Sequence, residues 1–265
     1  MLFCMGRSTL SAYHAFVTTR KYKLTLAYDG TSYEGWQARK DGLGIRATLA
    51  RALESLCGSA PEIIASSRTD AGVHARGLVA HIELPATSSF TGPGLRLALN
   101  AKLPDDIRVM SARIAPARFH ARFDVLEKEY RYQVWNHPVM DPLLRHQAWH
   151  VPRPLELASM KEAAAHFIGR HDFRHFTVMR KGELLDSHRT LTQCRVIKQG
   201  KRLTIQLTGE GFLYKMCRRI VGTLVQVGEG KLTPSEVHAL LHSPAPHPGG
   251  FVAPAHGLML WRVGY

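Results

Sequence analysis

Alternating apolar and polar positions predict the strands of this chain. Tyr22, Leu24, Leu26 and Tyr28 alternate with lysines and a threonine, a pattern typical of a strand that buries one face. The same two-residue period recurs over residues 129–135. Shorter or weaker alternation predicts further strands over residues 62–66, 78–84, 107–114, 190–197, 202–208 and 258–263.

Apolar residues at helical spacing predict the helices. Ile45, Leu49 and Leu53 lie four residues apart, and Gly58 suits the end of that helix because glycine readily adopts the left-handed conformation. Residues 233–236, Thr-Pro-Ser-Glu, form a capping box with proline at the first helical position, so a short helix begins there. The strongest apolar stripe joins Met216, Ile220, Leu224 and Val227, and weaker patterns predict helices over residues 95–100 and 155–168.

The order of these elements predicts an α+β fold. Each half of the chain has the order strand–helix–strand–strand–helix–strand, which is the order of ferredoxin-like and RNA-recognition folds. We expect two such halves, residues 21–125 and 126–265, to join into one mainly antiparallel sheet. Helices would lie on one side of it, with a basic active-site cleft between the halves. Residues 1–20 are expected to be a disordered N-terminal extension.

Charge indicates a polyanionic partner. Lys and Arg number 35 against 21 Asp and Glu, which gives a net charge of +14. Such an excess most often serves nucleic acid binding, although a basic protein without a specific partner has the same composition. The hydrophobic fraction of 45% is that of a globular chain and argues against general disorder.

The cysteines, the apolar runs and the N-terminal segment indicate the cellular compartment. The four cysteines are scattered without a C-x-x-C pair, which favours a reducing compartment, and no apolar run approaches the roughly 20 residues of a membrane span. Residues 1–20 carry Arg7 and Arg20 and no acid, as in organelle transit peptides. Their poor amphipathic pattern favours a simple N-terminal tail, with Met5 as an alternative start. We therefore expect a cytoplasmic protein, with an organelle matrix as the alternative.

One acidic residue stands in a loop of small residues. Residues 68–77 read Arg-Thr-Asp-Ala-Gly-Val-His-Ala-Arg-Gly and lie between two predicted strands, so we expect a loop that carries Asp70. Functional groups are concentrated on loops that a rigid scaffold holds, and glycine lets a backbone approach a ligand closely. Taken alone, however, the segment favours a turn in which Asp70 bonds to its own backbone.

Neighbouring motifs change that interpretation. Residues 67–74, Ser-Arg-Thr-Asp-Ala-Gly-Val-His, resemble the signature of the tRNA pseudouridine synthase A family. Gly44-Ile45-Arg46 departs from that family's usual Ser/Thr-Val-Gln, and Leu78 stands where glutamine is common. Further segments similar to the family follow in the same order between Tyr22 and Tyr265, at residues 28–37, 103–107, 119–124, 128–132 with Asn136, 171–173, 216–224 and 253–258.

The resemblance implies an isomerase that converts uridine to pseudouridine in the anticodon stem-loop of tRNA, at positions 38–40. The reaction breaks the C1′–N1 bond and rejoins the uracil through C5 without redox change or net hydrolysis, so it requires no metal and no organic cofactor. The resemblance assigns the nucleophile to Asp70, which would form a covalent adduct. Attack on the sugar, attack on the base and a glycal route all remain open at this point.

The resemblance also implies partners for Asp70. Arg218 would pair with it and favour the ionised carboxylate. Tyr130 would pack on the target uracil and take part in proton transfer, and Arg68 would contact the RNA backbone or fill the gap left by the flipped nucleotide. Spacing alone favours a solvated Arg218, and it leaves open a core position for Tyr130 and a surface position for Arg68.

Other basic residues fit an RNA surface. Residues 195–219 hold seven lysines and arginines and one acid, so we expect Lys215 and Arg219 to bind substrate. His171 and His175 are four residues apart but lack a third ligand of the expected kind, so we expect no metal site. Partners are thus tRNA and, as the resemblance implies, a second copy of the chain.

Two other functions are less well supported by the sequence. A non-catalytic RNA-binding module would carry aromatic-rich motifs on its sheet, and none is found. A metal-dependent nuclease would need several clustered carboxylates, whereas only Asp70 stands out.

Overall fold

The computed structural model of the protein describes residues 18–38, 42–178, 186–243 and 250–265. The helices in these ranges are α1 (Ile45–Cys57), α2 (Gly92–Asn100), α3 (Leu157–His166), α4 (Met216–Gly228) and α5 (Pro234–His242). The strands are β1 (Thr19–Tyr28), β2 (Ile64–Ala65), β3 (His74–Pro85), β4 (Ile107–Ile114), β5 (Glu127–Asn136), β6 (Trp149–Val151), β7 (Gly169–Asp172), β8 (His188–Gln199), β9 (Arg202–Gly209) and β10 (Leu258–Gly264). The fold class is therefore α+β, as predicted.

These strands form one mixed sheet. Its main path is β4-β1-β3-β10-β5-β9-β8-β7, with β2 paired to β3 and β6 paired to β5. β10 is parallel to β3 and β6 is parallel to β5, whereas the other pairs are antiparallel. β10 thus lies between strands from the first part of the chain and strands from the second. The centre of the sheet is completed by the strand that comes last in sequence.

The alternation predicted for β1 is confirmed as a buried face. Tyr22, Leu24 and Leu26 are fully buried, and the intervening residues are half-buried. Tyr132 and Val134 of β5 are buried in the same way. These side chains join those of the helices in one hydrophobic cluster, so the sheet and the helices that pack on it form the core together.

Both predicted helix signals are confirmed. Gly58 ends α1 in the left-handed conformation, with φ of 77°, and its N–H donates to the carbonyl of Glu54. The side chain of Thr233 accepts from the N–H of Glu236, whose carboxylate in turn accepts from the N–H of Thr233, so the capping box is formed. Local sequence therefore suffices to fix these helix ends.

The apolar stripe predicted for α4 is too narrow. Besides the predicted residues, Val221, Thr223 and Val225 are buried, because chain segments cover the helix on more than one side. A Cβ on Gly222 would lie 1.8 Å from the carbonyl oxygen of Phe251, which shows how closely that segment approaches. α4 is consequently a core helix rather than an amphipathic surface helix.

Two short strands and the start of β1 differ from what the sequence predicted. β6 and β7 were not predicted, because segments of three and four residues are too short to show a period. β1 begins at Thr19, inside the segment expected to be an N-terminal extension, and residues 1–17 of that segment lie outside the described residues. Within the described ranges, no helix is long and apolar enough to cross a membrane.

Candidate active site

The loop of Asp70 connects β2 to β3. The carbonyl of Asp70 accepts a hydrogen bond from the N–H of Val73 at 3.1 Å, and Gly72 has a φ of 74°, so the chain turns tightly after the acid. The predicted loop was too long, because residues 74–77 belong to β3. Ala75 pairs with Tyr28 and with Leu260 of β10, so strand partners from distant parts of the chain extend β3 toward Asp70.

The turn at residues 33–36 contacts this loop through backbone hydrogen bonds. The N–H of Trp36 donates to the carbonyl of Thr69, and the N–H of Gly72 donates to the carbonyl of Tyr33, both at 3.1 Å. Gly35 lies between these contacts with a φ of 92°, and a Cβ there would lie 2.3 Å from the Thr69 oxygen. Only glycine fits both the backbone angle and the space, so the sequence Tyr-Glu-Gly-Trp positions the backbone of Asp70.

Buried polar side chains fix the ends of the loop. Before Asp70, the hydroxyl of Tyr28 shares a hydrogen bond with the hydroxyl of Thr69 at 2.8 Å. After it, Nδ1 of His74 accepts from the N–H of Gly30 at 3.0 Å and lies 3.1 Å from Oδ1 of Asp29, while Nε2 faces two backbone carbonyls. That nitrogen lies 2.9 Å and 3.0 Å from the carbonyl oxygens of His146 and His256. The loop is thus held by groups from three other segments, at residues 28–30, 146 and 256.

Arg218 contacts Asp70 directly. Its Nη1 donates to Oδ2 of Asp70 at 3.2 Å, and its Nε donates to the carbonyl of Ala253 at 2.7 Å. The N–H of Ala253 donates back to the carbonyl of Arg218 at 3.1 Å. The side chains of Arg218 and Asp70 are 14% and 25% exposed, so the pair is largely shielded from water, while the carboxylate still reaches the cavity.

The start of α4 brings Arg218 into this position. Lys215, the residue before the helix, has a φ of 59° and is the one non-glycine residue with positive φ among those described. A left-handed lysine is strained, and such strain is concentrated at functional sites. The strained turn places Cys217 and Arg218 in the first turn of α4, beside the Asp70 loop.

Tyr130 lies buried on β5 at the same cavity. Its hydroxyl shares a hydrogen bond with the hydroxyl of Ser67 at 3.0 Å, and its ring meets that of Phe212 edge to face at 5.1 Å. Burial raises the pKa of Tyr130 far above its ordinary value, and the nearby Cys217 and Asp70 act in the same direction. The phenol therefore stays protonated at physiological pH.

These groups line a cavity of about 740 Å³. Asp70, Tyr130 and Arg218 line it together with Arg68 and Lys215, so five of the six predicted site residues meet there. The volume lies in the range of about 300–1,000 Å³ that is usual for ligand sites.

The sixth residue, Arg219, does not line this cavity. Its Nη1 donates to the carbonyl of His175 at 3.1 Å, because one step along a helix turns the side chain by about 100° away from Arg218.

The cavity is strongly basic. Its lining includes two acidic side chains, Asp70 and Glu62, whereas six are basic. The basic residues are Arg46, Arg68, Arg122, Lys128, Lys215 and Arg218. A cavity with this surplus attracts anionic ligands, and a nucleic acid backbone is the anion that the composition already favoured.

Several residues of the cavity were not predicted from the sequence. Lys128 and Arg122 contribute charge, and Phe123 and Tyr214 are aromatic side chains exposed over 74% and 54% of their surface. The position of Lys128, two residues before Tyr130 on an alternating strand, was the available signal, because side chains two residues apart share a face.

The structure gives no metal cluster in the described part of the chain. Its His, Cys, Asp and Glu side chains form no group of three or more that could hold a metal ion. Nε2 of His171 lies 2.9 Å from the carbonyl oxygen of Ile168, and Nε2 of His175 lies 3.0 Å from that of Ser243. The two histidines that we considered as a pair therefore bind separate backbone groups.

Known proteins resemble this chain over nearly its whole length. The family model described as tRNA pseudouridine synthase matches residues 163–265, which include Arg218. The tRNA pseudouridine synthase A of Anoxybacillus flavithermus is 42% identical over 247 residues, 93% of this chain and 99% of that protein. Those of Bacillus subtilis and Pelobacter propionicus are each 41% identical and cover 92% and 93% of this chain, and 99% and 100% of their own lengths.

Proposed function

The chain belongs to the tRNA pseudouridine synthase A family, and from that premise we propose that it isomerises uridine to pseudouridine in the anticodon stem-loop of tRNA, at positions 38–40, with Asp70 as the nucleophile. The observation that carries this proposal is the 3.2 Å contact between Arg218 and Asp70 at a basic cavity. The two residues are 148 positions apart, so the fold, and not local sequence, brings them together.

Asp70 is suited to covalent catalysis because Arg218 favours its ionised form and holds its direction. Oδ2 is bound by the guanidinium, which leaves Oδ1 to attack a carbon of the nucleotide. As the adduct forms, the carboxylate loses its negative charge, and the arginine stays in place through its second bond to Ala253. The same pair can therefore serve each step of cleavage, rotation and rejoining.

Tyr130 would pack on the extruded uracil. Stacking of a base on an aromatic ring contributes about 1–3 kcal/mol, which offsets part of the cost of unstacking that base in the RNA. Because burial keeps the phenol protonated, Tyr130 would act as a proton donor or as a relay with Ser67, and not as a standing phenolate.

Basic residues at the cavity would bind the RNA backbone. Arg68 is exposed and next but one to Asp70, which suits contact with the backbone or with the space left by the flipped nucleotide. Lys215 lies at the start of α4 on the same cavity. Arg219 lies off the cavity, so we no longer assign it to the substrate.

The departures from the family pattern have different surroundings. Arg46 lines the cavity, so its charge, where the family usually has glutamine, would strengthen backbone contacts in this chain. Leu78 is fully buried in the core, so it would affect packing and not RNA contact.

We also propose that the chain divides into two ferredoxin-like halves, residues 21–125 and 126–265, with helices on one side of the sheet and the basic cleft between the halves. β10 separates two groups of strands in the sheet. On one side of it lie β1, β3 and β4, and on the other side lie β5, β7, β8 and β9. The cavity is lined by residues from both halves. We further propose a cytoplasmic homodimer, for which molecular mass in solution and cell fractionation are the tests.

Tritium release tests the reaction. A tRNA transcript with tritium at C5 of uridine loses the label when pseudouridine forms. We expect the protein to release tritium without added metal or cofactor and Asp70→Asn to release none while it still binds tRNA. Equal release by both proteins would overturn the nucleophile assignment. Binding without release by the unchanged protein would indicate an RNA-binding module instead.

A further inference from the structure

Lys128 presents an unpaired charge to the cavity. It is half-buried on β5, on the same face as Tyr130, and it lines the cavity. Among the residues that the structure describes, its ammonium group forms neither an ion pair nor a hydrogen bond. Burial lowers the pKa of Lys128, and the neighbouring positive charge of Arg122 lowers it further. A cation in this position is unfavourable until an anion joins it.

The protein groups around Lys128 do not supply that anion, since Glu62, the second acid of the cavity, forms no ion pair with Lys128 among the described residues. Cys217 is buried, and burial raises the pKa of its thiol well above the ordinary value, with Asp70 adding to the effect, so it stays neutral. Asp70 itself is bound by Arg218. The compensating charge must therefore come from the ligand, and the fixed charges of an RNA are its phosphates.

Phe123 offers a second, independent contact at the same cavity. Its side chain is 74% exposed, and its ring stacks on that of His120 with 4.2 Å between ring centroids. An exposed phenyl ring held in place by a neighbour is costly in water but suits stacking against a flat ligand. Phe123, its neighbour Arg122 and Lys128 all line this cavity, so the two contacts lie in one region.

We propose that this region is a subsite for the nucleotide adjacent to the target uridine. Lys128 binds the phosphate that joins the two nucleotides, and Phe123 stacks on the neighbour's base. The subsite rests on the proposed function, because it places the target uridine beside Asp70. It would hold the neighbour in place while the uridine is detached and rotated.

The phosphate contact can be tested by removing one charge from the protein and one from the RNA. Anticodon stem-loop RNAs carry a single neutral methylphosphonate on either side of the target uridine, and the dissociation constant is measured for the unchanged protein and for Lys128→Met. At one of the two linkages, we expect each change alone to weaken binding about tenfold and both together to weaken it no further. Lys128→Arg should stay sensitive to the neutral linkage, since it keeps the charge.

Lys102→Met is the matched control, because Lys102 is exposed on the chain after α2 and away from the cavity. It should remain fully sensitive to the neutral linkage. The slope of log Kd against log salt should fall by about 0.7 for Lys128→Met, as expected for one lost phosphate contact on a single strand. Independent, multiplying effects of Lys128→Met and the neutral linkage at both positions would overturn the phosphate assignment.

The stacking contact has its own test. Phe123→Ala should weaken binding about tenfold for RNA with an intact neighbouring base and leave binding unchanged when that base is removed. Leu143→Ala, an exposed apolar residue outside the cavity, should not distinguish the two RNAs. Equal loss on both RNAs would overturn the stacking assignment. Tritium release by the unchanged protein is measured separately, so failure of the subsite and failure of the isomerase proposal give different results.

Discussion

The guanidinium of Arg218 joins Asp70 to Ala253. Nη1 lies 3.2 Å from Oδ2 of Asp70, and Nε lies 2.7 Å from the carbonyl oxygen of Ala253. One side chain therefore ties the loop after β2 to the segment that leads into β10. The two bonds come from two different nitrogens of one planar guanidinium, whereas a lysine ammonium has a single nitrogen.

Arg218→Lys should separate charge from geometry. We expect kcat to fall about 100-fold with little change in KM, because the lysine keeps a positive charge but cannot make both directed bonds. Arg170→Lys, an exposed change on β7, is the control and should leave both constants unaltered. Full activity of Arg218→Lys would contradict a role for the two-bond geometry. Single-turnover tritium release provides the measurement.

Gly35→Ala should disturb the Asp70 loop through a clash with the backbone of Thr69. The new Cβ would lie 2.3 Å from the carbonyl oxygen of Thr69 at a φ of 92°, so we expect a loss of about 2–3 kcal/mol in the free energy of unfolding and reduced activity. Gly58→Ala has a similar φ of 77° but open space around it, so about 1 kcal/mol and full activity are expected. Urea unfolding compares the two. Equal losses would mean that the contact with Thr69 is unimportant.

Tyr130→Phe should distinguish stacking from proton transfer. The phenyl ring remains, so the dissociation constant for tRNA should stay within about twofold, while loss of the hydroxyl should lower kcat about 100-fold. Tyr130→Ala should additionally weaken binding about tenfold or more.

Tyr22→Phe provides the control for Tyr130→Phe. It removes a hydroxyl that donates to the carbonyl of Phe90, and neither residue lines the cavity, so it should cost about 1 kcal/mol of stability without changing kcat. An unchanged kcat for Tyr130→Phe would remove the hydroxyl from the mechanism.

Asp172 should make part of the stability depend on acid pH. Burial alone would raise its pKa, but hydrogen bonds from Arg174 and Ser187 outweigh burial and lower the pKa from 3.8 to about 2. Because the folded pKa is depressed, the stabilising effect is complete above pH 3.8 and is lost as pH falls toward 2. The difference in unfolding free energy between the unchanged protein and Asp172→Asn should therefore be constant from pH 7 to 5 and shrink below about pH 4.

Urea titrations at pH 7, 5, 4 and 3 measure that difference. Arg174→Met removes a partner of the carboxylate, so Asp172→Asn should have a smaller and less pH-dependent effect in that background. A difference that persists unchanged at pH 3 would show that the contacts of Asp172 are not electrostatic in origin.

Sequence pattern predicted the elements whose local signals are strong. β1 and β4 have enough residues for alternation to show, and the capping box of Thr233 is complete within four residues. The start of β3 was misplaced because His74 to Gly77 are strand only by virtue of partners in β1 and β10. In the sequence alone, the small residues and glycines of this segment indicate a loop, and only its pairing with β1 and β10 makes it a strand.

The candidate site also contains residues that local sequence reveals and residues that depend on the fold. Asp70 was found because its motif is contiguous in sequence. Lys128 was missed because an alternating strand normally puts lysine in water, although its spacing of two residues from Tyr130 indicated that the two side chains share a face. Arg219 was overvalued because sequence neighbours on a helix point in different directions.

The position of β10 determines when the site can form during synthesis. β10 is made after every other described strand, yet it lies between β3 and β5, and Ala253, which holds Arg218, immediately precedes it. Until β10 is made, the sheet lacks the strand that joins β3, which follows the Asp70 loop, to β5, which carries Tyr130. Activity should therefore begin only after β10 has been made and has taken its place between β3 and β5.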